Sequence, residues 1–167
     1  MRTHRRVRQL KDKILPLSRL KKVIAFLQKK GARIVFTNGC FDILHYGHAS
    51  YLEHAKRKGD ILVVAVNSDS SIKKIKGPHR PVNPQQNRLR MVAALESVDY
   101  VTVFSQVTPL EVIKLLKPTI LVKGADWDKQ KIVGKEEVER TGGKVCSIPL
   151  VQGLSTTNLL KKISDAY

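Results

Sequence analysis

Cysteine is scarce in these 167 residues. There are two, Cys40 and Cys146, far apart and without C-x-x-C spacing. That excludes a disulfide framework and a zinc ribbon, and it fits a reducing cytoplasm. Aromatic residues make up 5% of the chain. Apolar runs fall short of the roughly 20 residues needed to cross a bilayer, so no membrane partner is expected. Arg2, Arg5, Arg6 and Arg8 are followed by no apolar stretch of a secretory signal. Acids are outnumbered, 14 Asp and Glu against 31 Lys and Arg, for a net charge of +17.

What is present is ordinary for one globular domain: 42% hydrophobic and 27% charged residues in a length that can bury a sizeable core. The excess charge is concentrated at the start, where residues 1–30 hold eleven Lys/Arg and the single acid Asp12. A basic arm could bind nucleic acid. A solvated leader followed by a helix with a lysine-rich outer face explains the same charge. The second reading is preferred, because the arm lacks interleaved aromatics for stacking on bases. The chain is therefore divided into a basic arm and helix over 1–31 and a domain over 32–167.

Apolar spacing predicts a helix from Ser18 to Lys30, with Ser18 as its cap and Gly31 as its stop. A buried strand over 33–37 breaks into a loop at Asn38-Gly39, and a helix runs from Gly47 to Arg57. The nearly continuous apolar run from Asp60 to Val66 marks a strand of a parallel sheet covered on both faces. A helix over 84–95, a strand over 100–104, a helix over 109–116 and a strand over 119–122 follow. A helix over 135–140, a strand over 144–148 and a last helix over 156–163 complete the alternation. Such alternation implies an α/β fold: a Rossmann-like, doubly wound, parallel five-stranded sheet with flanking helices. Its ligand site should lie outside the carboxyl ends of the strands.

Neither G-x-G-x-x-G nor G-x-x-x-x-G-K-[ST] occurs, which removes a dinucleotide fingerprint and a P-loop. The first strand is followed instead by Asn38-Gly39-Cys40-Phe41-Asp42-Ile43-Leu44-His45-Tyr46-Gly47-His48. His45 and His48 flank Gly47 where a loop enters a helix. Helix N-termini present unpaired N–H groups to anions, imidazoles can donate to phosphoryl oxygens, and glycine admits a ligand close to the backbone. The same histidines could cap the helix, or form a metal pair, although one nearby carboxylate leaves a metal site incomplete.

Gly39–His48 resembles the G-x-F-D-x-x-H-x-G-H signature of the cytidylyltransferase-like nucleotidyltransferases. Gly153-Leu154-Ser155-Thr156-Thr157 resembles their second signature, a Ser/Thr turn that opens the last helix. The likeness covers roughly residues 32–165. Within the superfamily, Val66-Asn67-Ser68-Asp69, the loop Lys76–Pro84 with Arg88, and Leu121-Val122-Lys123-Gly124-Ala125-Asp126 are similar to the adenylyltransferases of ADP-heptose synthesis. In many bacteria that activity is fused behind a sugar kinase; this chain is expected to be the stand-alone form. The R-T-E-G-I-S-T-T stretch of glycerol-3-phosphate cytidylyltransferase lacks its arginine here, where Val151-Gln152 precede Gly153. A cytidylyltransferase acting on glycerol-3-phosphate is the alternative.

The resemblance implies transfer of AMP from ATP, with Mg²⁺, to a sugar 1-phosphate, D-glycero-β-D-manno-heptose 1-phosphate. The acceptor is already an anion, so catalysis is positioning and charge stabilisation. His45 and His48 are the expected catalytic pair. Asn38, Gly39, Cys40, Phe41, Gly47, Lys123, Gly124, Ser155, Thr156 and Thr157 are expected on nucleotide and phosphates. Asp42, Asn67, Asp69, Lys76, Arg80, Arg88 and Asp126 are expected on the sugar phosphate, Asp42 ordering the loop or touching substrate. No resident metal site is expected. The resemblance also implies a homodimer; a cytoplasmic location is expected from the cysteine usage, and a nucleic-acid partner is not expected.

Overall fold

The computed structural model describes residues 9–125 and 131–166. Five parallel strands, β1 (Ile34–Gly39), β2 (Ile61–Asn67), β3 (Tyr100–Phe104), β4 (Ile120–Gly124) and β5 (Lys144–Ile148), stand in the order β3-β2-β1-β4-β5. Chain order reverses between β1 and β4, which opens a crevice at the carboxyl ends of those two strands. The helices in chain order are α1 (Leu10–Lys13), α2 (Leu17–Lys29), α3 (Tyr46–Lys56), α4 (Asp69–Lys76) and α5 (Gln85–Ala94). After β3 come α6 (Leu110–Leu116), α7 (Lys135–Arg140) and α8 (Thr156–Ala166).

Alternation along each strand decides which layer a side chain joins. Val35, Leu62, Val64, Val66, Val101 and Val122 face one side, against Tyr51, Leu52 and Ala55 of α3 and Leu89, Val92 and Ala93 of α5. Ile34, Phe36, Val63, Ala65 and Leu121 face the other, against Leu20 and Ile24 of α2, Val112, Ile113 and Leu116 of α6, and Val138 of α7. Both faces are covered, so the strands read as unbroken apolar runs. The segment before α2 closes one edge of the sheet. Ile14 bridges Val101 in parallel, and the Leu15 N–H donates to Val101 O at 3.0 Å.

Three local expectations need correction. Helix α2 is capped by Pro16 and takes Ser18 into its first turn, because proline's φ of −62° already suits a helix start. Strand β1 does not break at Asn38-Gly39; both residues stay in the ladder, paired with Ala65 and Val66. Residues 69–76 form α4, for which no helix was expected. Ser68 accepts from the Ser71 N–H at 3.1 Å to cap it, and Gly77, at φ +93°, ends it.

Candidate active site

The turn leaving β1 is built around a strained residue. Phe41 has φ +46°, a left-handed conformation unfavourable for a side chain of that size, yet it is buried. Gly39 makes this possible: a Cβ there would lie 2.9 Å from Phe41 Cε2. The Phe41 ring therefore folds back over the end of the strand, its centroid 5.3 Å from that of His48. Cys40, half-buried, has its thiol pushed up, chiefly by burial.

His45 occupies the cap position of α3 in extended backbone, and its side chain does not cap the helix. Its ring stacks on that of His48, centroids 3.9 Å apart at 29°. Gly47 gives room to the His45 ring. A Cβ on Gly47 would meet the His45 ring at 3.0 Å and Leu154 Cβ at 3.4 Å. The Nδ1 atoms of His45 and His48 are both buried without a hydrogen-bond partner among the described residues. Burial first, then the charges of His45 and Lys76, lower His48 to about 4. Burial lowers His45 as well. Two neutral imidazoles thus stack where a helix begins, each with a buried polar atom left unmet among the described residues.

Asp42 lies beside this pair but turns away from it. Its Oδ1 accepts from the Asn83 N–H at 2.8 Å, and its Oδ2 from the Val82 N–H at 3.0 Å and Arg80 Nε at 2.8 Å. Its carbonyl accepts from Asn83 Nδ2 at 2.6 Å. Burial alone would raise the carboxyl, but the Asn83 and Val82 N–H groups and Arg80 outweigh it and hold it below the ordinary carboxylate range. With its side chain 1% exposed, Asp42 orders the loop and has no surface left for a substrate. Arg80 Nη2 also stands 2.7 Å from Oδ2, a buried ion pair without a second aligned hydrogen bond.

Arg88 departs from the expected phosphate clamp. Its guanidinium is fully enclosed and donates to Asn83 O at 3.0 Å, Cys40 O at 2.7 Å and Asp69 Oδ1 at 2.8 Å. Asp69 remains 40% exposed, and its second oxygen has no partner among the described residues. Asn67 is turned inward to Ser71 Oγ at 3.0 Å. Lys76 ends α4 exposed, near enough to bias His48.

On the far side of the crevice, buried Lys123 of β4 donates to Asn38 Oδ1 of β1, and Gly124 ends the strand. Asp126 lies outside the described residues. Ser155 accepts from the Asn158 N–H at 3.0 Å and so caps α8, leaving Thr156 and Thr157 in its first turn. Thr156 Oγ1 reaches Ile43 O at 3.5 Å, a long contact. That contact and Leu154 bring the second signature onto the first. Asn83 is the residue that sequence reasoning missed. It lies in the loop Lys76–Pro84, whose residues gave no sign of a side chain that clasps Asp42.

A parallel Rossmann-like sheet whose switch-point crevice carries paired histidines at one helix start and a Ser/Thr turn at another defines a nucleotidyltransferase. Residues 36–161 match the Cytidylyltransferase-like family, and the chain belongs to it. It is 51% identical over 148 residues to the bifunctional protein HldE of Syntrophotalea carbinolica, covering 89% of this chain and 30% of that one. With HldE of Campylobacter fetus the identity is 54% over 151 residues, 90% and 31% of the two lengths. The chain thus spans about a third of the length of these relatives. A lipopolysaccharide core biosynthesis protein from Thermoplasma volcanium superposes with TM-score 0.59 at 29% identity, covering 72% of this chain and 97% of that one. Pantothenate synthetase from Thermus thermophilus shares the fold, with TM-score 0.60 at 18% identity over 88% and 67% of the two chains.

Proposed function

We propose that this nucleotidyltransferase moves AMP from ATP to a sugar 1-phosphate, D-glycero-β-D-manno-heptose 1-phosphate. A phosphate oxygen of the acceptor attacks the α-phosphorus, the bond to the β-phosphate breaks, and pyrophosphate leaves with ADP-heptose as product. The observation that carries the reading is the stacked His45–His48 pair, whose Nδ1 atoms have no partner among the described residues, beside Gly47, where the second signature's Leu154 also comes close. Those imidazoles donate to charge that grows on the α-phosphate and leaving group. The N–H groups opening α8 hold the outer phosphates. On the other side of the crevice, the Arg80 guanidinium and the exposed Lys76 ammonium take the acceptor phosphate. The free oxygen of Asp69 accepts from a sugar hydroxyl.

Mg²⁺ enters with ATP. It would supply charge neutralisation on the leaving phosphates. The heptose reading rests on the similarity of 66–69, 76–84 and 121–126 to that branch and on the lipopolysaccharide relative. A cytoplasmic homodimer goes with it, to be checked by sedimentation of the full chain.

The deciding experiment measures pyrophosphate release from ATP and CTP against D-glycero-β-D-manno-heptose 1-phosphate, other sugar phosphates and glycerol-3-phosphate. ATP with the heptose is expected to exceed CTP by at least about tenfold in kcat/KM, roughly 1.4 kcal/mol in the transition state. Faster turnover of CTP and glycerol-3-phosphate would overturn the substrate assignment and leave nucleotidyl transfer standing.

A further inference from the structure

We infer that Arg88 is a positioning residue: its buried guanidinium sets the orientation of the Cys40–Phe41 peptide, so that the Phe41 N–H is presented to a nucleotide phosphate. The inference rests on the nucleotide reading above and adds to it the group that holds the phosphate loop in its working shape.

A guanidinium at zero exposure needs a reason, since an apolar side chain fills such a place at less desolvation cost. Arg88 has one charged partner, Asp69, and that partner is 40% exposed. Its other two bonds go to backbone carbonyls, Cys40 O at 2.7 Å and Asn83 O at 3.0 Å. Three segments at the carboxyl edge of the sheet therefore meet on one planar, rigid fork: the turn after β1, the start of α4 and the loop before α5. Lysine could supply the charge but not that geometry.

The bond to Cys40 O has a consequence for the next atom along the chain. In a planar trans peptide the C=O and N–H point in opposite directions. With the Cys40 carbonyl drawn toward α5, the Phe41 N–H faces away from it, and that N–H has no acceptor among the described residues. The turn carries a left-handed φ of +46° at Phe41, a conformation that persists only where neighbours impose it. Two restraints act there: the Phe41 ring packed over Gly39, and the Arg88 bond to the preceding carbonyl. The same Phe41 ring lies against His48, so the donor is fixed relative to the imidazole pair.

The test uses the full chain, with ATP and Mg²⁺ as the probe. In ¹H–¹⁵N spectra the wild-type Phe41 amide should move downfield when ATP is added. Arg88→Lys should abolish that movement and lower kcat by on the order of 10- to 100-fold, as removal of one positioned donor does. Asp69→Asn, which leaves Arg88 in place without its charged partner, should weaken the amide shift in the same direction when ATP alone is present. It serves as the second variant if Arg88→Lys fails to fold. A merely structural Arg88 would lower thermal stability and leave both the amide shift and kcat of the folded enzyme unchanged. That outcome, or an undiminished shift in both variants, overturns the inference. A wild type in which no amide of residues 39–48 responds to ATP overturns the nucleotide reading itself.

Discussion

Residues 39–48 and residues 153–157 meet over the same crevice, one from the end of β1 and one from the start of α8. The first stretch is held from every side: Asp42 is clasped by Arg80, Val82 and Asn83, Cys40 O by Arg88, and the Phe41 ring by Gly39 and His48. The second has its own cap on Ser155 and a long contact from Thr156 to Ile43, and α8 behind it buries no residue. Groups on the rigid stretch can act on charge that appears only in the transition state, because their orientation is settled before substrate arrives. Groups on the lightly packed stretch gain order from the ligand, and part of the binding energy is spent on that ordering. The first stretch should therefore govern kcat and fold stability, and the second KM for the nucleotide.

The histidines test the strong side of this comparison. His45→Ala and His48→Ala should each lower kcat by on the order of 10²–10³, about 3–4 kcal/mol, with little change in KM for ATP. Steady-state kinetics with saturating acceptor reads this directly. Near-normal turnover in either variant would remove the pair from the chemistry.

Breaking the clasp on Asp42 should unsettle the fold before it touches chemistry. Asp42→Ala leaves the Arg80 guanidinium and two N–H groups without their acceptor, a loss of about 3 kcal/mol in urea unfolding at pH 7. The pH dependence has a definite sign. The folded carboxyl titrates below its unfolded value, so its stabilisation is present above the unfolded pKa and is lost as pH falls through the folded one. The wild type and the variant should converge in acid; a constant gap down to pH 2 would contradict the clasp.

Ser155→Ala probes the weaker side. Loss of a helix cap costs about 1 kcal/mol. Because α8 buries no residue, little of that should reach global unfolding. It should appear as a rise in KM for ATP on the order of fivefold with kcat nearly unchanged. A fall in melting temperature without a change in KM would show that α8 is part of the cooperative core after all.

The same contrast decides what could be read from residues alone. The sheet was legible because both faces are covered and each strand is a compact apolar run, as from Ile61 to Val66. The turn from β1 into α3 was legible because Gly39, Phe41, His45, Gly47 and His48 are fixed by local sterics within ten residues of chain. Helix α4 was not: its Ser and Lys composition carries a narrow apolar stripe, and the Ser68 cap became visible only in place. Nor was Arg88 as a loop-holding group, since its partner Cys40 lies nearly fifty residues away; for Asp42 the loop-ordering alternative was legible, but not its partner Asn83, some forty residues on. A charged residue near a signature reads as a ligand contact from sequence; only its burial and its partners show that its bonding capacity is already used.

The smallest expected effect concerns protons at His48. Its imidazole titrates at about 4 in the free protein, against about 6.5 for an exposed histidine, because burial disfavours the cation. The folded state therefore binds fewer protons than the unfolded one between those values. Stability is full above pH 6.5 and declines as pH falls toward 4, by on the order of 1 kcal/mol once solvent screening is allowed for. This window lies above that of Asp42, so His48→Gln should flatten the slope between pH 6.5 and 4 and leave the steeper loss below pH 4 in place. ATP should act in the opposite direction to burial. A polyphosphate beside the ring favours the imidazolium, so the His48 resonances should titrate at a higher pH in the nucleotide complex than in the free protein, with proton uptake on binding near pH 5. If the titration midpoint stays at about 4 when ATP is bound, His48 does not lie against the phosphates, and the rigid stretch must act through its backbone N–H groups alone.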